Sequence, residues 1–482
     1  MDLPSAARSG LLPALVEAHT RCGAIDASEA GRIAAGLRMP AALAWEAASS
    51  FPDFERETAR GAEPVCVGPA CLAAGAIAGP GQVAVECQHR CFEAPAAGED
   101  APFPESAIRL AGPLLAPEDT DWRGLDAARA SGRDGVLAGL ERSGLRGRGG
   151  AYFPVASKWS AALARERPLA LVVNAEEGEP GVYKDRALLC RRPRRFVEGL
   201  AIAIEALAPA VTVIFLNGRA QGAMESMRSA LESHGDILPA APRVVRGGGG
   251  YVLGEETTML NAIEGRKPVP RVRPPFPVES GLWGMPTVVN NVETIASLAV
   301  IFREGAAAFR ARGTAAAPGT RLLSVSGAVA RPGVYEVEMG VTIARVLEMA
   351  GGPAARPIVA ALAGGPSGGF LPESTFGTPL LPGQLHATGA ALGAGGLLFL
   401  DSPAAVRKTA LYLAEFNAAE SCGKCTPCRE GAPRAHEMLA SGNKAGLEDL
   451  LEVMAVASLC GLGQMAPGPI RSALHFWPEL FA

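Results

Sequence analysis

Four cysteines near the carboxyl end of the chain have the spacing of a metal or cluster site. Cys422, Cys425 and Cys428 follow one another at two-residue gaps in the segment ESCGKCTPCREG, and Cys460 lies further on. Such gaps let three thiolates of one loop point at a common centre, which a fourth thiolate can close. This tripod is typical of a [4Fe–4S] cube, where each iron takes one cysteine. Structural zinc, which more often uses two separated pairs, and unrelated thiols are the alternatives.

Four more cysteines form two pairs near the amino end. Cys66 and Cys71 enclose four residues, and Cys87 and Cys91 enclose three. Eight of the ten cysteines therefore fall into two groups. In a long chain without an export signal, clustered cysteines are more often metal ligands or redox sites than disulfides.

Three glycine-rich loops and a fourth segment with two adjacent asparagines, all in the middle of the chain, are candidates for cofactor binding. They are SGLRGRGGAYFP, NAEEGEPGVYKDR, GGGGYVLGEETTML and PTVVNNVET. Glycines let backbone amides approach a phosphate or a ring edge closely. The second loop directly follows the apolar segment LALVV, and α/β folds place ligands at the carboxyl ends of strands. Neither a G-x-G-x-x-G after a strand nor a P-loop occurs, so the sequence has no Rossmann or P-loop signature.

The elements that must position these residues change along the chain. Helical periodicity marks residues 11–50, apolar strands alternate with helices over 118–305, and alternating strands surround an RPG turn within 321–400. Segments 93–107 and 305–320 have the composition of linkers. The predicted fold class is α/β multidomain. Its four parts are a helical, thioredoxin-like part (1–107), an α/β part (118–310), a β-grasp-like part (319–402) and a helical part (403–482).

Composition excludes several functions. The chain has 45 basic and 49 acidic residues and a formal charge of −4, so electrostatically driven nucleic-acid binding is not expected. No run of 18 uncharged apolar residues occurs, which predicts no membrane insertion. The first residues lack the pattern of a secretory leader, so a cytoplasmic location is predicted. There is no HExxH motif, and hydrolysis is not supported.

The cysteine segment and the order of the four loops resemble the NADH-binding flavoprotein subunit of respiratory complex I. Diaphorase subunits of NAD-dependent formate dehydrogenases and NAD-reducing hydrogenases share this module. The resemblance covers residues 120–482. It implies FMN, NAD(H) and a [4Fe–4S] cluster, and an NADH dehydrogenase-type oxidoreductase. Hydride passes reversibly between NADH and the flavin, and single electrons pass to the cluster. Partners would be a catalytic dehydrogenase subunit and iron–sulfur subunits.

The resemblance also assigns residues to the cofactors. Around the flavin it implies Gly147, Arg148, Gly149, Gly150, Lys158, Asn174, Glu176, Glu177, Tyr251, Gly254 and Glu255, with Asn290, Asn291 and Thr294 near its phosphate. Around NADH it implies Glu179 and Glu256, which orient the dinucleotide, and Arg273 and Phe276 on the adenine side. Glu179, near the nicotinamide, is the predicted catalytic residue. The β-grasp-like module, of the SLBB type, is implied to brace the flavin and cluster parts.

Three departures from the family pattern bear on the site. At position 152, where this chain has Tyr152, the family usually has Gly, which predicts altered access to the flavin face. It usually has Asp at Glu176 and Lys at Arg273. An arginine near the adenine ribose suits a 2′-phosphate. The acidic loops would repel that phosphate, so NADH is predicted over NADPH.

The amino-terminal cysteines resemble the thioredoxin-like [2Fe–2S] subunit that partners this flavoprotein. Both pair spacings match, but the 15 residues between the pairs are fewer than half of the family's gap. A [2Fe–2S] cluster, zinc and an empty site remain open. Because the two modules are fused, a soluble dehydrogenase is favoured, with formate dehydrogenase as the first candidate. Complex I, a hydrogenase, an electron-bifurcating complex or a docking subunit that has lost a cofactor are the alternatives.

Overall fold

The computed structural model describes residues 6–55, 63–98, 101–118, 121–165, 168–386 and 389–482. Within this part of the chain, strands form a two-stranded, a four-stranded and a six-stranded sheet, and helices surround them. The predicted α/β multidomain class is confirmed. Residues 1–5, on which the absence of a leader was predicted, and residues 99–100 of the first predicted linker lie outside the described residues.

Short helices form the amino-terminal segment. They are α1 (Ala6–Ser9), α2 (Leu11–Cys22), α3 (Ala27–Gly36), α4 (Ala41–Ala48) and α5 (Pro52–Glu55). Asp26 caps α3 by accepting a hydrogen bond of 2.8 Å from the amide of Glu29. The apolar face of α2, including Leu11 and Leu15, packs against Val172 and Phe215 of the central sheet. The segment therefore covers one face of that sheet.

The four amino-terminal cysteines lie in a small separate unit. Strands β1 (Glu63–Cys66) and β2 (Gln82–Val85) pair in parallel, and α6 (Pro69–Ala73) connects them. The 15 residues between the cysteine pairs therefore hold only the end of α6 and the strand β2. The Nζ of Lys408 donates a hydrogen bond of 3.3 Å to the carbonyl of Leu72, which ties this unit to the carboxyl-terminal helices.

A short strand, β3 (Ile108–Leu110), joins the chain after the first predicted linker to the six-stranded sheet. Glu336 fixes the segment that follows it. The carboxylate of Glu336 accepts hydrogen bonds of 2.9–3.0 Å from the amides of Gly112, Leu114 and Leu115. A buried glutamate of β9 therefore fixes a segment that is distant in the sequence.

The central unit is a parallel sheet in the order β6-β5-β4-β7. Its strands are β4 (Ala170–Ala175), β5 (Val211–Leu216), β6 (Arg243–Arg246) and β7 (Thr287–Asn291). Its helices are α7 (Arg123–Ser143), α8 (Val155–Leu163), α9 (Lys184–Arg191), α10 (Pro193–Leu207), α11 (Gln221–His234), α12 (Glu256–Ile263), α13 (Pro277–Ser280), α14 (Val292–Glu304) and α15 (Ala306–Arg310). The last helix lies within the predicted linker 305–320. Because the strands are parallel, their carboxyl ends share one edge.

The β-grasp-like unit follows. Its strands are β8 (Thr320–Gly327), β9 (Gly333–Glu338), β10 (Ala360–Ala363), β11 (Gly369–Pro372) and β12 (Gly396–Leu400), and its helices are α16 (Ile343–Met349) and α17 (Pro382–His386). The sheet order is β11-β10-β12-β8-β9-β3. The predicted strands LLSVSGAV and VYEVEM correspond to β8 and β9, which pair antiparallel.

The carboxyl-terminal part is helical, as predicted. It comprises α18 (Pro403–Ala419), α19 (Thr426–Ser441), α20 (Leu447–Ala457), α21 (Gly461–Met465) and α22 (Pro467–Phe476). Among the described residues, no helix has both the length and the apolar character needed to cross a membrane.

Candidate functional site

Polar loops gather at the carboxyl edge of the parallel sheet. The loop after β4 begins at Asn174, β5 ends before Asn217, the glycine-rich loop follows β6, and β7 ends at Asn291. Asn174 connects two of these loops. Its Nδ2 donates a hydrogen bond of 3.0 Å to the carbonyl of Gly254, and its Oδ1 accepts a hydrogen bond from the amide of Glu176. The topology therefore brings the second and third glycine-rich loops together with the fourth segment, PTVVNNVET.

Glu176 and Glu179 are buried carboxyl groups that keep unused hydrogen-bonding capacity. Glu176 accepts a hydrogen bond from Nδ2 of Asn217, and Glu179 accepts one of 3.4 Å from the amide of Ala394. The Oε2 of Glu176 and the Oε1 of Glu179 have no protein partner. Burial raises the pKa of each carboxyl to about 8. Both groups are thus available to a ligand.

Glu177 has a different environment. Its two carboxylate oxygens accept hydrogen bonds of 2.7 and 3.1 Å from the amides of Asp185 and Arg186, at the start of α9. Burial raises its pKa to about 7. A carboxylate placed on the first amides of a helix stabilises that end of the helix. Glu177 therefore positions the loop between β4 and α9.

The first glycine-rich loop packs against the amino end of α14. The amide of Arg148 donates 2.9 Å to Oγ1 of Thr294. A Cβ added at Gly149 would lie 3.1 Å from Cβ of Asn291, and Gly150 has a φ of 116°. The glycines thus allow a close backbone approach that larger residues would prevent. Gly147 belongs to the same loop, and its amide donates a hydrogen bond to the carbonyl of Phe153.

Tyr152 occupies a left-handed conformation, with a φ of 53°. For a residue other than glycine this costs roughly 1–2 kcal/mol, which explains the glycine usual at this position. The Tyr152 ring is buried in the β-grasp core, beneath the guanidinium of Arg321 at 5.4 Å. The substitution thus fills the interface between the two units with an aromatic ring.

Lysines and asparagines complete the edge. The Nζ of Lys158 donates a hydrogen bond of 3.0 Å to the carbonyl of Val289, and the indole N–H of Trp159 donates one of 2.9 Å to Oδ1 of Asn290. Burial lowers the pKa of Lys158. The sequence did not single out Lys184, whose Nζ lies 2.7 Å from Asp185 and 2.9 Å from Glu293 and is fully buried. These carboxylates outweigh burial and raise the pKa of Lys184.

A charged cluster lies at the start of α12. Glu255 caps this helix by accepting from the amide of Thr258, and it also pairs with Arg273. Arg273 lies 3.2 Å from Glu256, which in turn lies 4.0 Å from Lys158. The ring of Phe276, on the same loop as Arg273, is half exposed. Arg273 is therefore shared between two carboxylates.

The four carboxyl-terminal cysteines line one cavity together with Tyr251, Glu420 and Lys424. Cys425 precedes α19 and Cys460 precedes α21, so the amino ends of both helices face the sulfurs. Helix amino ends favour negative charge, such as that of thiolates around a cluster. Burial raises the pKa of Cys460 to about 11 and also raises those of Cys422 and Cys428. The donor set fits a cluster or metal centre that stabilises the thiolates.

The amino-terminal cysteines also converge, and all four are buried. The sulfurs of Cys87 and Cys91 are 3.5 Å apart. Hydrogen bonds from the Cys71 and Cys87 thiols lower the pKa of Cys66 to about 3. Backbone amides also point at the sulfurs. The amides of Gly68 and Gln88 donate to the sulfur of Cys66, that of His89 to Cys87 and that of Ala96 to Cys71. The distances from nitrogen to sulfur are 3.3–3.4 Å.

His89 joins this unit to the loop after β4. Its Nδ1–H donates 2.7 Å to the carbonyl of Val182, and burial lowers its pKa well below the usual value. A neutral imidazole held in this way links the cysteine loop to the sheet edge.

Family models match three parts of the chain. Residues 140–300 match the Nuo51 FMN-binding domain, residues 322–371 the SLBB domain, and residues 408–482 the NADH-ubiquinone oxidoreductase-F iron-sulfur binding region. The second F subunit of the NADH-quinone oxidoreductase of Rhizobium meliloti (strain 1021) is 37% identical over 372 residues, which are 72% of this chain and 88% of that protein. The chain belongs to the family of NADH-quinone oxidoreductase F subunits. The F subunit of Streptomyces coelicolor is 38% identical over 380 residues, 74% of this chain and 84% of that protein.

The predictions of FMN, of a [4Fe–4S] cluster and of an NADH dehydrogenase-type oxidoreductase are confirmed by this membership. The two F subunits match about three quarters of the chain. A chain of the NAD+-reducing [NiFe]-hydrogenase, solved in the H2-reduced state, is similar over 98% of this chain and 93% of its own length. Its TM-score is 0.87 and its sequence identity is 30%.

The residues present in this member of the F-subunit family fit a bound flavin. Buried carboxylate oxygens of Glu176 and Glu179 without protein partners are costly unless a ligand satisfies them. At Gly254, the nearest atom to an added Cβ is 3.7 Å away, so the backbone is open to close approach. Residues that sequence reasoning missed are Lys184, Asn217, Glu293, Arg321 and Glu420. Asn217 ends the apolar run VTVIFLN, and a polar residue at the end of such a run was an available signal.

Proposed function

We propose that this chain is the nicotinamide-side electron-transfer subunit of a soluble, cytoplasmic multisubunit dehydrogenase and works reversibly. When bound at the sheet edge, FMN would supply the conversion between two-electron hydride transfer from NADH and one-electron transfer to the cluster. The observation that carries the proposal is the position of Tyr251. Tyr251 belongs to the loop of Gly254, lines the cavity of the four carboxyl-terminal cysteines, and donates its amide to Glu420, which lines the same cavity. One residue therefore touches both redox sites.

The chain's own residues divide the binding work. Asn174, Glu176 and the Gly254 backbone would contact the flavin ring and ribityl chain, and the Gly147–Gly150 backbone with Asn290, Asn291 and Thr294 would hold the phosphate end. Lys158 supplies positive charge at the same edge. Glu179 and Glu256 would orient the dinucleotide, while Phe276 offers an exposed ring to the adenine. Positioning is the main task, because hydride transfer needs no separate acid or base.

We also assign a [2Fe–2S] cluster to Cys66, Cys71, Cys87 and Cys91. Their convergence in a buried unit and the four amides on their sulfurs support this assignment, since hydrogen bonds to sulfur tune such clusters. Zinc and an empty site are the alternatives. His89 places the unit against the loop after β4, as electron exchange with the flavin would require.

The proposal extends to the catalytic partner. A formate dehydrogenase subunit, reached through iron–sulfur subunits, is the first candidate by analogy. A hydrogenase is the second, favoured by the similarity of nearly the whole chain to a chain of the NAD+-reducing [NiFe]-hydrogenase. Complex I and electron-bifurcating complexes share the module.

The test uses the chain purified anaerobically by itself for cofactor analysis and EPR, and the native complex, isolated through a tag on this chain, for the activity assays. Flavin, iron and zinc are quantified, EPR spectra are recorded after NADH addition, and NAD+ reduction is assayed with formate and with H2. One FMN, about six irons and two EPR signals support the full module, and about four irons would leave the amino-terminal unit without a cluster. Zinc without flavin would instead indicate a docking subunit and overturn the proposal. Activity with formate or with H2 identifies the partner.

A further inference from the structure

A cavity of about 570 Å³ lies between the amino-terminal helices and the loop that follows α12. Its walls come from α1, α4, the 265–280 loop and the Cys422–Cys425 loop. Its volume falls in the range of small-molecule sites, roughly 300–1,000 Å³, whereas surfaces that bind proteins are flatter. We call it the basic cavity.

Charge is unevenly distributed in the basic cavity. Arg8, Arg266, Lys267, Arg271 and Lys424 line it, and Glu46 is the one acidic residue among its lining residues. The chain as a whole has more acidic than basic residues, so the charge of the basic cavity is opposite in sign to the net charge of the chain.

Neighbouring carboxylates neutralise only part of that charge. Glu264 pairs with Arg266 at 3.1 Å and with Arg271 at 2.8 Å. In the part of the chain that the structure describes, neither Arg8 nor Lys267 forms an ion pair. The Nζ of Lys424 donates to the carbonyl of Pro270. The cavity therefore retains uncompensated positive charge and free donors.

The basic cavity is separate from the NADH-side cluster. Arg271 and Val272 face the cavity, whereas the side chain of Arg273 pairs with Glu255 and Glu256. None of the residues assigned to FMN or NADH is among its lining residues. Successive residues of one loop thus line the basic cavity and the NADH-side cluster, respectively.

We propose that the basic cavity binds a small molecule carrying a di- or triphosphate group. Guanidinium groups donate paired hydrogen bonds to phosphate oxygens, and lysine ammonium groups act as point charges. A concave site with several such donors and few carboxylates selects a compact polyanion. This binding is distinct from the proposed electron transfer and does not depend on it.

The experiment is isothermal titration of pyrophosphate into the anaerobically purified full-length holoprotein, saturated with NAD+ to fill the dinucleotide site. We expect binding to one site. The double variant Arg8→Gln/Lys267→Gln should weaken it at least about tenfold, since two donors are lost. The control, Arg345→Gln/Arg434→Gln, removes the same charge from side chains that are 63% and 57% exposed elsewhere, and should leave binding unchanged.

Three results would overturn the proposal. They are no pyrophosphate binding in the presence of NAD+, equal weakening in both double variants, or binding of an acidic peptide such as polyglutamate where pyrophosphate does not bind. NADH oxidation, followed in parallel, should be unchanged in Arg8→Gln/Lys267→Gln. Loss of NADH oxidation in the wild type would contradict the proposed function alone.

Discussion

The backbone amide of Tyr251 donates a hydrogen bond of 2.7 Å to the carboxylate of Glu420. Tyr251 belongs to the third glycine-rich loop, and Glu420 follows α18, two residues before Cys422. The contact therefore joins the loop at the sheet edge to the cysteine loop. It fixes the relative position of the two redox sites with a charge-assisted hydrogen bond.

Replacing Glu420 with Ala should loosen the Tyr251 loop. A hydrogen bond to a charged group contributes about 1.5–3 kcal/mol, so the FMN dissociation constant should rise at least about tenfold. Quenching of free-flavin fluorescence measures it. Glu437→Ala, at a side chain that is 65% exposed on α19, is the control. Equal affinities in both variants would show that the contact does not support the flavin loop.

Cys460→Ser should remove the [4Fe–4S] cluster. The serine cannot supply the fourth thiolate, and iron should fall by about four atoms per chain while FMN stays bound. Cys190→Ser alters a partly buried cysteine outside both groups and should keep its iron. Iron and flavin analysis of anaerobic samples decides the point, and unchanged iron in Cys460→Ser would exclude this residue as a ligand.

Cys87→Ser tests the amino-terminal unit. Iron should fall by about two atoms per chain, with loss of one EPR signal and retention of the other. Cys22→Ser, at an exposed position on α2, should change neither. A wild-type protein with only about four irons would itself contradict the [2Fe–2S] assignment.

NADH binding should weaken as pH rises through about 8. Burial raises the pKa of Glu179 to about 8, so its carboxyl is neutral below that pH and negative above it. The negative form repels the dinucleotide phosphates. Glu179→Gln is neutral throughout and should bind NADH with a smaller change between pH 7 and 9, the remainder arising from Glu176. Glu348→Gln, 65% exposed, should titrate like the wild type. Identical pH profiles in all three proteins would rule out this role.

Glu256→Gln should increase the use of NADPH. Glu255 and Glu256 both pair with Arg273, which leaves its guanidinium little capacity for a 2′-phosphate. Removing one charge frees that capacity and reduces repulsion. We expect kcat/KM for NADPH to rise about tenfold, equivalent to ~1.4 kcal/mol, with a smaller change for NADH. Glu279→Gln, on the nearby α13, controls for a general charge effect, and an equal rise there would contradict the prediction.

Local sequence patterns predicted most of the elements. The apolar segment LALVV, which precedes the second glycine-rich loop, became β4, and the helical periodicity of residues 11–50 corresponds to α2, α3 and α4. The cysteine spacing placed Cys422, Cys425, Cys428 and Cys460 around one cavity. These features depend on periodicity or on spacing within a loop, which a sequence displays directly.

Contacts between distant segments could not be predicted in the same way. Lys184 and Glu293 are 109 positions apart yet form a buried ion pair of 2.9 Å. Packing of α2 on the central sheet and pairing of β3 with β9 also depend on tertiary geometry. A charged residue flanked by apolar residues within a predicted strand, as at Arg321 or Glu336, was the available sign of such contacts.

The amide of Leu114 and the carboxylate of Glu336, which are joined by a hydrogen bond, belong to residues 222 positions apart in the sequence. During synthesis, the amino-terminal region leaves the ribosome long before β9 exists. Its edge at β3 must therefore wait, unpaired, until more than two thirds of the chain has been translated. The first strand of the six-stranded sheet is thus made long before the strand that it pairs with, and its hydrogen-bonding edge stays open during that interval.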